Sequence, residues 1–177
     1  MAYQQQPQIP PAVVQWFRSV DVDGTGTISA IELQQALTNN DWSHFQLNTC
    51  YQMITLFDRT YTGQINMYDF HSLTNFLNQW RQVFDANDQD RSGTISEHEL
   101  HATFGRIGFN LSPNFVRMAM WRYDTLNRRC LTFEGFINCC LMLQSLTRDF
   151  QQRDTAKQGS AQIGYDDFMC MAINNLK

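Results

Sequence analysis

The sequence predicts an all-α fold of five helix–loop–helix units whose loops pair through short β-strands. One reason is a twelve-residue pattern of oxygen-bearing side chains around a glycine, which starts at Asp21, returns in full at Asp88 and returns with losses at Asp58, Asp124 and Asp154. Another is the helical apolar periodicity beside these loops. The third is spacing: the loop starts are 37, 30, 36 and 30 residues apart. The long intervals therefore have room for two helices, and the short ones for one shared helix.

The first helix is predicted to open at Pro10 and Pro11, because proline is tolerated in a first helical turn. Residues 1–11 are rich in Gln and Pro, which predicts a flexible tail ahead of a folded domain over residues 12–177. We further predict two breaks between helices, around residues 39–43 and 105–113. Two long helices, over residues 70–87 and 136–153, are predicted to be shared by neighbouring loops.

The first loop, D-V-D-G-T-G-T-I-S-A-I-E, runs from Asp21 to Glu32. A calcium loop of the EF-hand type needs oxygen donors at positions 1, 3, 5, 7 and 9, glycine at position 6 and a bidentate carboxylate at position 12. The residues at the ligand positions are Asp21, Asp23, Thr25, Thr27, Ser29 and Glu32. With three acidic ligands, we predict calcium binding in the sensor range, on the order of micromolar, with magnesium as an alternative occupant.

The second loop, D-R-T-Y-T-G-Q-I-N-M-Y-D, is a weaker copy between Asp58 and Asp69. Its candidate ligands are Asp58, Thr60, Thr62, Gln64 and Asp69. Thr60 replaces an acid at position 3, and the shorter arm of Asp69 does not easily reach bidentate geometry. Weak calcium binding, magnesium binding and no binding all fit two carboxylates, and we expect an empty loop at resting ion levels.

The third loop, D-Q-D-R-S-G-T-I-S-E-H-E, is the best copy of the pattern. The residues at its ligand positions are Asp88, Asp90, Ser92, Thr94, Ser96 and Glu99. The alternative is a solvated acidic loop with Gly93 at a turn. That interpretation is disfavoured because helical apolar periodicity flanks the loop on both sides. We therefore predict a second calcium site here.

The fourth and fifth loops are predicted to bind no calcium with high affinity. In the fourth, Asp124–Gly135, an apolar residue and two arginines replace ligands, and Gly135 stands where the bidentate acid belongs. The residues at positions 3, 5 and 6 are Leu126, Arg128 and Arg129. The fifth starts at Asp154 and is stretched by two residues, since its apolar residue at position 8 arrives late, at Ile163. Its positions 3 and 5 hold Ala156 and Gln158, which supply no charge.

Composition excludes several other classes of protein. With 43% hydrophobic residues, a net charge of −4 and no basic run, the chain is predicted to be globular and not to bind nucleic acid. The five cysteines show neither a zinc-type spacing nor a disulfide framework, which favours a reducing compartment. The polar amino terminus predicts no signal peptide, and the longest apolar stretch, residues 136–146, is too short for a membrane span. We expect a soluble, intracellular protein.

Five loops leave one without a partner in its own chain. EF-hand loops pair in twos, so the fifth helix–loop–helix unit is predicted to pair with a fifth unit in another chain, in a homodimer or heterodimer. The exiting helix is apolar enough to serve as an association surface. The predicted dimerisation residues are Ile163, Tyr165, Phe168, Met169, Met171, Ala172 and Ile173.

Five EF-hands, a stretched last loop, shared long helices and a short Gln/Pro tail resemble the penta-EF-hand family over residues 12–177. Four segments are similar to one branch of that family: Trp16–Asp21, Trp42–Phe45, Gly108–Pro113 and Arg153–Gly159. The resemblance implies a cytoplasmic, calcium-responsive adaptor that dimerises through its fifth hand with itself or another family member. It also implies calcium-dependent association with membranes, and a role in export from the endoplasmic reticulum.

The leading functional interpretation is a calcium sensor that exposes apolar surface to protein or peptide partners when its loops bind calcium. The candidate partner surface includes Trp80, Met120 and Tyr123, although these positions also suit a core. One alternative is a structural dimer subunit that does not respond to calcium. Another is a regulatory subunit of a calcium-dependent protease. No nucleophile–base pattern is recognisable, so an enzyme is not expected.

Overall fold

The computed structural model describes residues 8–124 and 127–175, with side chains described as far as residue 173. The all-α prediction is confirmed. The helices are α1 Pro11–Val20, α2 Ala30–Ala36, α3 Leu47–Phe57, α4 Met67–Asn87, α5 Glu97–Arg106, α6 Pro113–Tyr123, α7 Phe133–Arg153 and α8 Tyr165–Asn175, and the strands are β1 Ile95–Ser96 and β2 Cys130–Leu131. None of the described helices combines the length and the apolarity that crossing a membrane requires.

Both predicted shared helices are present as α4 and α7, each 21 residues long. They begin three residues earlier than the apolar stripes indicated. For α7 the reason is a polar cap: the Thr132 hydroxyl accepts a hydrogen bond from the Gly135 amide at 3.2 Å, so the helix starts at Phe133. For α4, the Asn66 side-chain oxygen accepts hydrogen bonds from the amides of Tyr68 and Asp69.

The chain divides into two compact units, Met1–Gln82 and Val83–Lys177. In the first unit the first two loops meet through a β-bridge between Ile28 and Ile65, whose amides and carbonyls exchange hydrogen bonds of 2.8 and 3.0 Å. Both isoleucines are fully buried. Phe17 of α1 packs edge-on against Phe70 of α4, with ring centroids 5.5 Å apart. The apolar residue at loop position 8 therefore joins the loop pair to the core.

The second unit repeats this arrangement with a short antiparallel sheet. Strand β1 of the third loop pairs with β2 of the fourth, with Ile95 opposite Leu131 and both fully buried. The pairing strand predicted for the fourth loop is thus present. Beneath it, Phe84 packs edge-on against Phe133 and Phe136, at centroid distances of 5.4 and 5.6 Å.

Candidate calcium-binding loops

The first loop is folded around its own carboxylates. Asp21 accepts hydrogen bonds from the amides of Thr25 and Gly26 at 3.0 and 2.9 Å, and Asp23 accepts a second bond from the Thr25 amide. Gly26 has φ +79°, a conformation that strains residues with a Cβ. One carboxylate oxygen each of Asp21, Asp23 and Glu32 lies within 4.8 Å of the others. The fold thus brings the three acidic residues predicted from sequence into one cluster.

The third loop has the same geometry. The amides of Ser92 and Gly93 donate to Asp88, each at 2.9 Å, and the Ser92 amide also donates to Asp90 at 3.0 Å. Carboxylate oxygens of Asp88, Asp90 and Glu99 lie within 4.8 Å of one another. The other predicted ligands are close by. Thr25 and Ser92 hydroxyls each donate to the position-7 carbonyl, that of Thr27 and Thr94, at 3.2 and 3.1 Å.

The glutamate at position 12 of each loop also caps the helix that follows. Glu32 accepts hydrogen bonds from the Ser29 amide and hydroxyl at 2.9 and 2.7 Å, and from the Val22 amide at 3.0 Å. Ser29 in turn accepts from the Glu32 amide, which completes a capping box. Glu99 makes the equivalent bonds with Ser96 and Gln89. Each glutamate is therefore mechanically connected to the first turn of α2 or α5.

The hydrogen bonds also keep these acids ionised. Burial alone raises the pKa of Glu32, but the bonds from Ser29 and Val22 outweigh it, so the pKa lies below the ordinary glutamate value. The pKa of Glu99 is lowered in the same way. At Asp23 the Thr25 hydroxyl and amide lower the pKa. Each cluster consists of three acidic side chains, and closely spaced hard oxygen donors of this kind are the ligands of calcium and magnesium.

The second loop keeps the turn but closes with an aspartate, Asp69, in place of glutamate. Asp58 accepts hydrogen bonds from the Thr60 and Gly63 amides at 2.9 and 2.7 Å. The Thr62 hydroxyl donates to the Gln64 carbonyl at 3.2 Å.

Asp69, the acid at position 12 of this loop, lies beside an arginine. Its side chain is almost fully buried, one oxygen lies 3.6 Å from Arg59 Nε, and the other finds no hydrogen-bond donor among the described residues. Burial raises the pKa of Asp69, and the positive charge of Arg59, which lowers it, does not cancel this rise. Sequence reasoning missed the role of Arg59 at loop position 2, which offers Asp69 a cation from within the chain.

The first two loops are linked at their position-7 residues. The Thr27 hydroxyl donates to the Gln64 side-chain oxygen at 2.5 Å. Both residues are candidate ligands through their main-chain carbonyls. The contact joins their side chains only and does not involve those carbonyls. The contact was not predicted, because it depends on the register set by the Ile28–Ile65 bridge.

The fourth loop holds its turn with an arginine in place of glycine. Asp124 accepts a hydrogen bond from the Arg129 amide at 2.6 Å, and Arg129 has φ +58°. Gly135 lies so close to α6 that a Cβ there would stand 2.7 Å from the Tyr123 carbonyl oxygen. Leu126, the residue predicted to replace the position-3 ligand, lies outside the described residues. The structure therefore adds a steric reason for the glycine at position 12.

The fifth loop forms the first half of an EF-hand turn. Asp154 accepts hydrogen bonds from the amides of Gln158 and Gly159 at 3.0 and 2.7 Å, and Gly159 has φ +73°. The side chains of Ala156 and Gln158 are exposed, as is Asp167 on the following helix. Asp167 lies 3.6 Å from Arg153.

Helix α8 exposes most, but not all, of the predicted dimerisation residues. Tyr165, Phe168, Met169 and Ile173 are exposed, and Ile163 and Ala172 are half-buried. Met171 departs from the prediction: it is only 8% exposed, because it faces the interior of its own unit. In the candidate partner surface, Met120 is buried while Trp80 and Tyr123 are half-buried. The exposed aromatic residue on α6 is instead Trp121.

Comparison with known proteins extends these observations. A sequence model described as "EF hand" matches residues 13–37 and 81–104. Peflin of Xenopus laevis is 41% identical over 171 residues, covering 96% of this chain and 60% of peflin, so the chain spans less than two thirds of that relative. Human sorcin is 40% identical over 148 residues, covering 81% of this chain and 74% of sorcin. A solved structure of a homologue of programmed cell death 6 protein from Leishmania major Friedlin matches with a TM-score of 0.78 and 26% identity, covering 93% of this chain and 94% of that chain.

Acidic loops closed by a helix-capping glutamate, in a chain of five helix–loop–helix units, define a calcium-binding EF-hand protein. The chain belongs to the penta-EF-hand family, and the resemblance seen in its sequence is confirmed. Within that family it is peflin-like, and peflins are the branch that the four quoted segments indicated.

Proposed function

We propose that this chain is a cytoplasmic calcium sensor and adaptor that engages protein partners when its first and third loops bind calcium. The observation that carries the proposal is the double role of Glu32 and Glu99. Each belongs to a cluster of three carboxylates and also caps the helix that follows. By analogy with the family, we place its action at membranes of the endoplasmic reticulum, in vesicle transport.

The capping boxes connect a change at the loop to the position of a helix. Calcium, when bound, supplies the positive charge that the three carboxylates of a loop share. As a bidentate ligand, Glu99 would direct both carboxylate oxygens at the metal, and these are the oxygens that accept the bonds from Gln89 and Ser96. Because Glu99 belongs to the first turn of α5, its movement changes how that helix is held. Glu32 has the same relation to α2.

The apolar surface that would respond lies immediately beyond these glutamates. Leu33 follows Glu32 and Leu100 follows Glu99, and both leucines are fully buried. A shift of the first helical turn therefore moves a core side chain directly. This supports calcium-dependent exposure of apolar surface, as in EF-hand sensors.

The exposed apolar residues of α8 favour dimerisation as a second element of the proposal. Phe168 is 55% exposed, and Tyr165 and Ile173 are more exposed still. Side chains of this size leave water when a matching surface covers them. We infer a dimer formed through the fifth hand, with itself or another penta-EF-hand chain. If calcium does not alter partner binding, the same surface fits the alternative function of a structural dimer subunit.

The proposal is tested with the paired substitution Glu32→Gln and Glu99→Gln. Calcium is expected to increase the fluorescence of an apolar-surface dye with the wild type but not with this variant. Exchange of Glu97→Gln, on an exposed residue of the same helix turn as Glu99, is the control and should behave as the wild type. If saturating calcium changed neither the dye signal nor the hydrogen exchange of the wild type, the sensor function would be contradicted. The alternative function of a structural dimer subunit would then remain.

A further inference from the structure

The acid that closes the second loop is paired with an arginine from the same loop. Asp69 Oδ1 lies 3.6 Å from Arg59 Nε, and the Asp69 side chain is 3% exposed whereas that of Arg59 is 78% exposed. The other carboxylate oxygen of Asp69 is buried and meets no hydrogen-bond donor in the part of the chain that the structure describes. Because burying a carboxylate without compensation is costly, Asp69 depends on the positive charge of Arg59.

Arg59 connects the two helices of the second hand. Asp58 is the C-cap of α3, and Arg59 directly follows it. Asp69 lies in the first turn of α4. In an EF-hand, calcium joins the same two points, since loop position 1 follows the entering helix and position 12 belongs to the exiting helix. The arginine therefore makes, from within the chain, the connection that a metal ion makes in a calcium-binding loop.

The closing glutamates of the first and third loops contact loop position 2 in a different way. Glu32 accepts a hydrogen bond from the Val22 amide, and Glu99 accepts one from the Gln89 amide, each at 3.0 Å. Val22 and Gln89 have uncharged side chains, so position 2 brings no competing cation to either glutamate. In the second loop this position is Arg59, whose guanidinium lies beside the closing acid instead.

The fifth loop contains a similar pair. Counted from Ile163 at position 8, Asp167 is the residue at position 12. It lies 3.6 Å from Nη2 of Arg153, the last residue of α7, whose Nη1 donates to the Asp149 carbonyl at 2.9 Å. An arginine–aspartate pair thus joins the entering and exiting helices here as well. Both loops that close with aspartate have an arginine next to position 1, and neither has a third acid at a ligand position.

We propose that Arg59 is an internal cation that takes the place of calcium in the second loop and keeps divalent ions out of it. A calcium ion that entered this loop would meet only two carboxylates, and one of them already has a guanidinium 3.6 Å away. The ion would have to displace that group, which carries charge of the same sign. The donors of the second loop therefore do not fit calcium as those of the first and third loops do. Arg153 has the corresponding place in the fifth loop.

The test first inactivates the other loops, so that a calorimetric calcium titration of the full chain reports on the second loop. The starting protein carries Glu32→Gln and Glu99→Gln, and Asp69→Glu is added to give a reference affinity. Adding Arg59→Gln should raise that affinity by roughly tenfold, the effect of a unit charge a few ångströms from a divalent ion in water. Arg59→Lys, which keeps the charge, should leave the affinity near the reference. The difference between the two variants should shrink as salt rises.

A second measurement needs no metal. In a chelator, Arg59→Gln in the otherwise wild-type chain should speed the hydrogen exchange of the Tyr68, Asp69 and Phe70 amides, which donate to Asn66 at the start of α4. The expected reason is that Asp69 loses its counter-charge. Exchange of Arg18→Gln, on an exposed residue of α1, is the control and should leave these amides as in the wild type.

Equal calcium affinities of the Arg59→Gln and Arg59→Lys proteins would overturn the proposal, and so would the absence of binding by both. It would also be overturned if the starting protein, with Arg59 and Asp69 intact, bound calcium in an event that Asp69→Asn abolishes. Unchanged hydrogen exchange in the Arg59→Gln protein would show that the arginine does not replace the metal as a connection between helices. The titrations use a chain without the closing glutamates of the first and third loops, so their result does not depend on the sensor proposal.

Discussion

Replacement of Glu99 by glutamine tests whether this residue both closes the third loop and caps α5. The substitution keeps the size of the side chain but removes a charge from the cluster with Asp88 and Asp90. Glu99 is 7% exposed and accepts three hydrogen bonds, at 3.0, 2.9 and 2.7 Å. Glutamine retains one acceptor oxygen and turns its NH₂ group toward a donor, so part of this network is lost.

Two separate effects are expected from Glu99→Gln. Calcium affinity of the third loop should fall at least 100-fold, about 2.7 kcal/mol, because the loop loses both charge and bidentate coordination. The metal-free protein should lose about 2 kcal/mol of unfolding free energy, the usual contribution of buried hydrogen bonds to a charged group. Calorimetric titration with calcium in excess magnesium measures the first effect, and urea denaturation in a chelator measures the second.

Glu97→Gln is a matched control, because it changes the same charge two residues away on an exposed position of α5. Its stability should stay within about 0.5 kcal/mol of the wild type. Equal calcium affinity and equal stability of the Glu99→Gln and Glu97→Gln proteins would refute the double role. If Glu99→Gln lowered stability but not calcium affinity, Glu99 would be a helix cap but not a metal ligand.

Three further predictions follow from the other loops and from the ionised glutamates. Gly135→Ala should cost about 1–3 kcal/mol in urea denaturation, because its Cβ would lie 2.7 Å from the Tyr123 carbonyl oxygen; Gly105→Ala, a helical glycine with no atom within 4 Å of its added Cβ, should not destabilise. Asp69→Glu should add a calorimetric calcium-binding event at the second loop, since the longer arm reaches bidentate geometry, whereas Asp69→Asn should add none. The pKa values of Glu32 and Glu99 are lowered in the folded protein. The stabilisation that the two ionised glutamates give to the metal-free protein is therefore complete above the ordinary glutamate pKa of about 4.3. It is lost as the pH falls through the lower folded-state values. Denaturation at a series of acidic pH values should show a weaker pH dependence in the Glu32→Gln and Glu99→Gln double variant; an equal dependence would contradict the assignment.

The helices and acidic clusters were predictable because local chemistry determines them. Gly26 and Gly93 fix the turns, and in the third loop Ser96 and Glu99 start the next helix while closing the loop. The stripe before Phe84 ran without a break, which identified α4 as one helix. These features depend on residues within about ten positions of each other, so spacing alone reveals them.

The features that could not be predicted depend on contacts between segments that are far apart in the sequence. The Thr27–Gln64 hydrogen bond requires the register of two loops, and the Gly135–Tyr123 approach requires the packing of α7 on α6. Met171 was assigned to the dimerisation surface because it belongs to the apolar run Phe168–Ile173, and only packing shows that its side chain is buried within its own unit. Trp121 was overlooked for the converse reason, since an isolated tryptophan in a helix usually lies in the core.

The tight contact at Gly135 also has an evolutionary consequence. A mutation that restored glutamate at this position would place its Cβ against the Tyr123 carbonyl before any metal could be bound. The packing of α6 against α7 would have to change as well to make room for this Cβ. The fourth loop is thus expected to stay without an acidic closing residue in descendants of this chain.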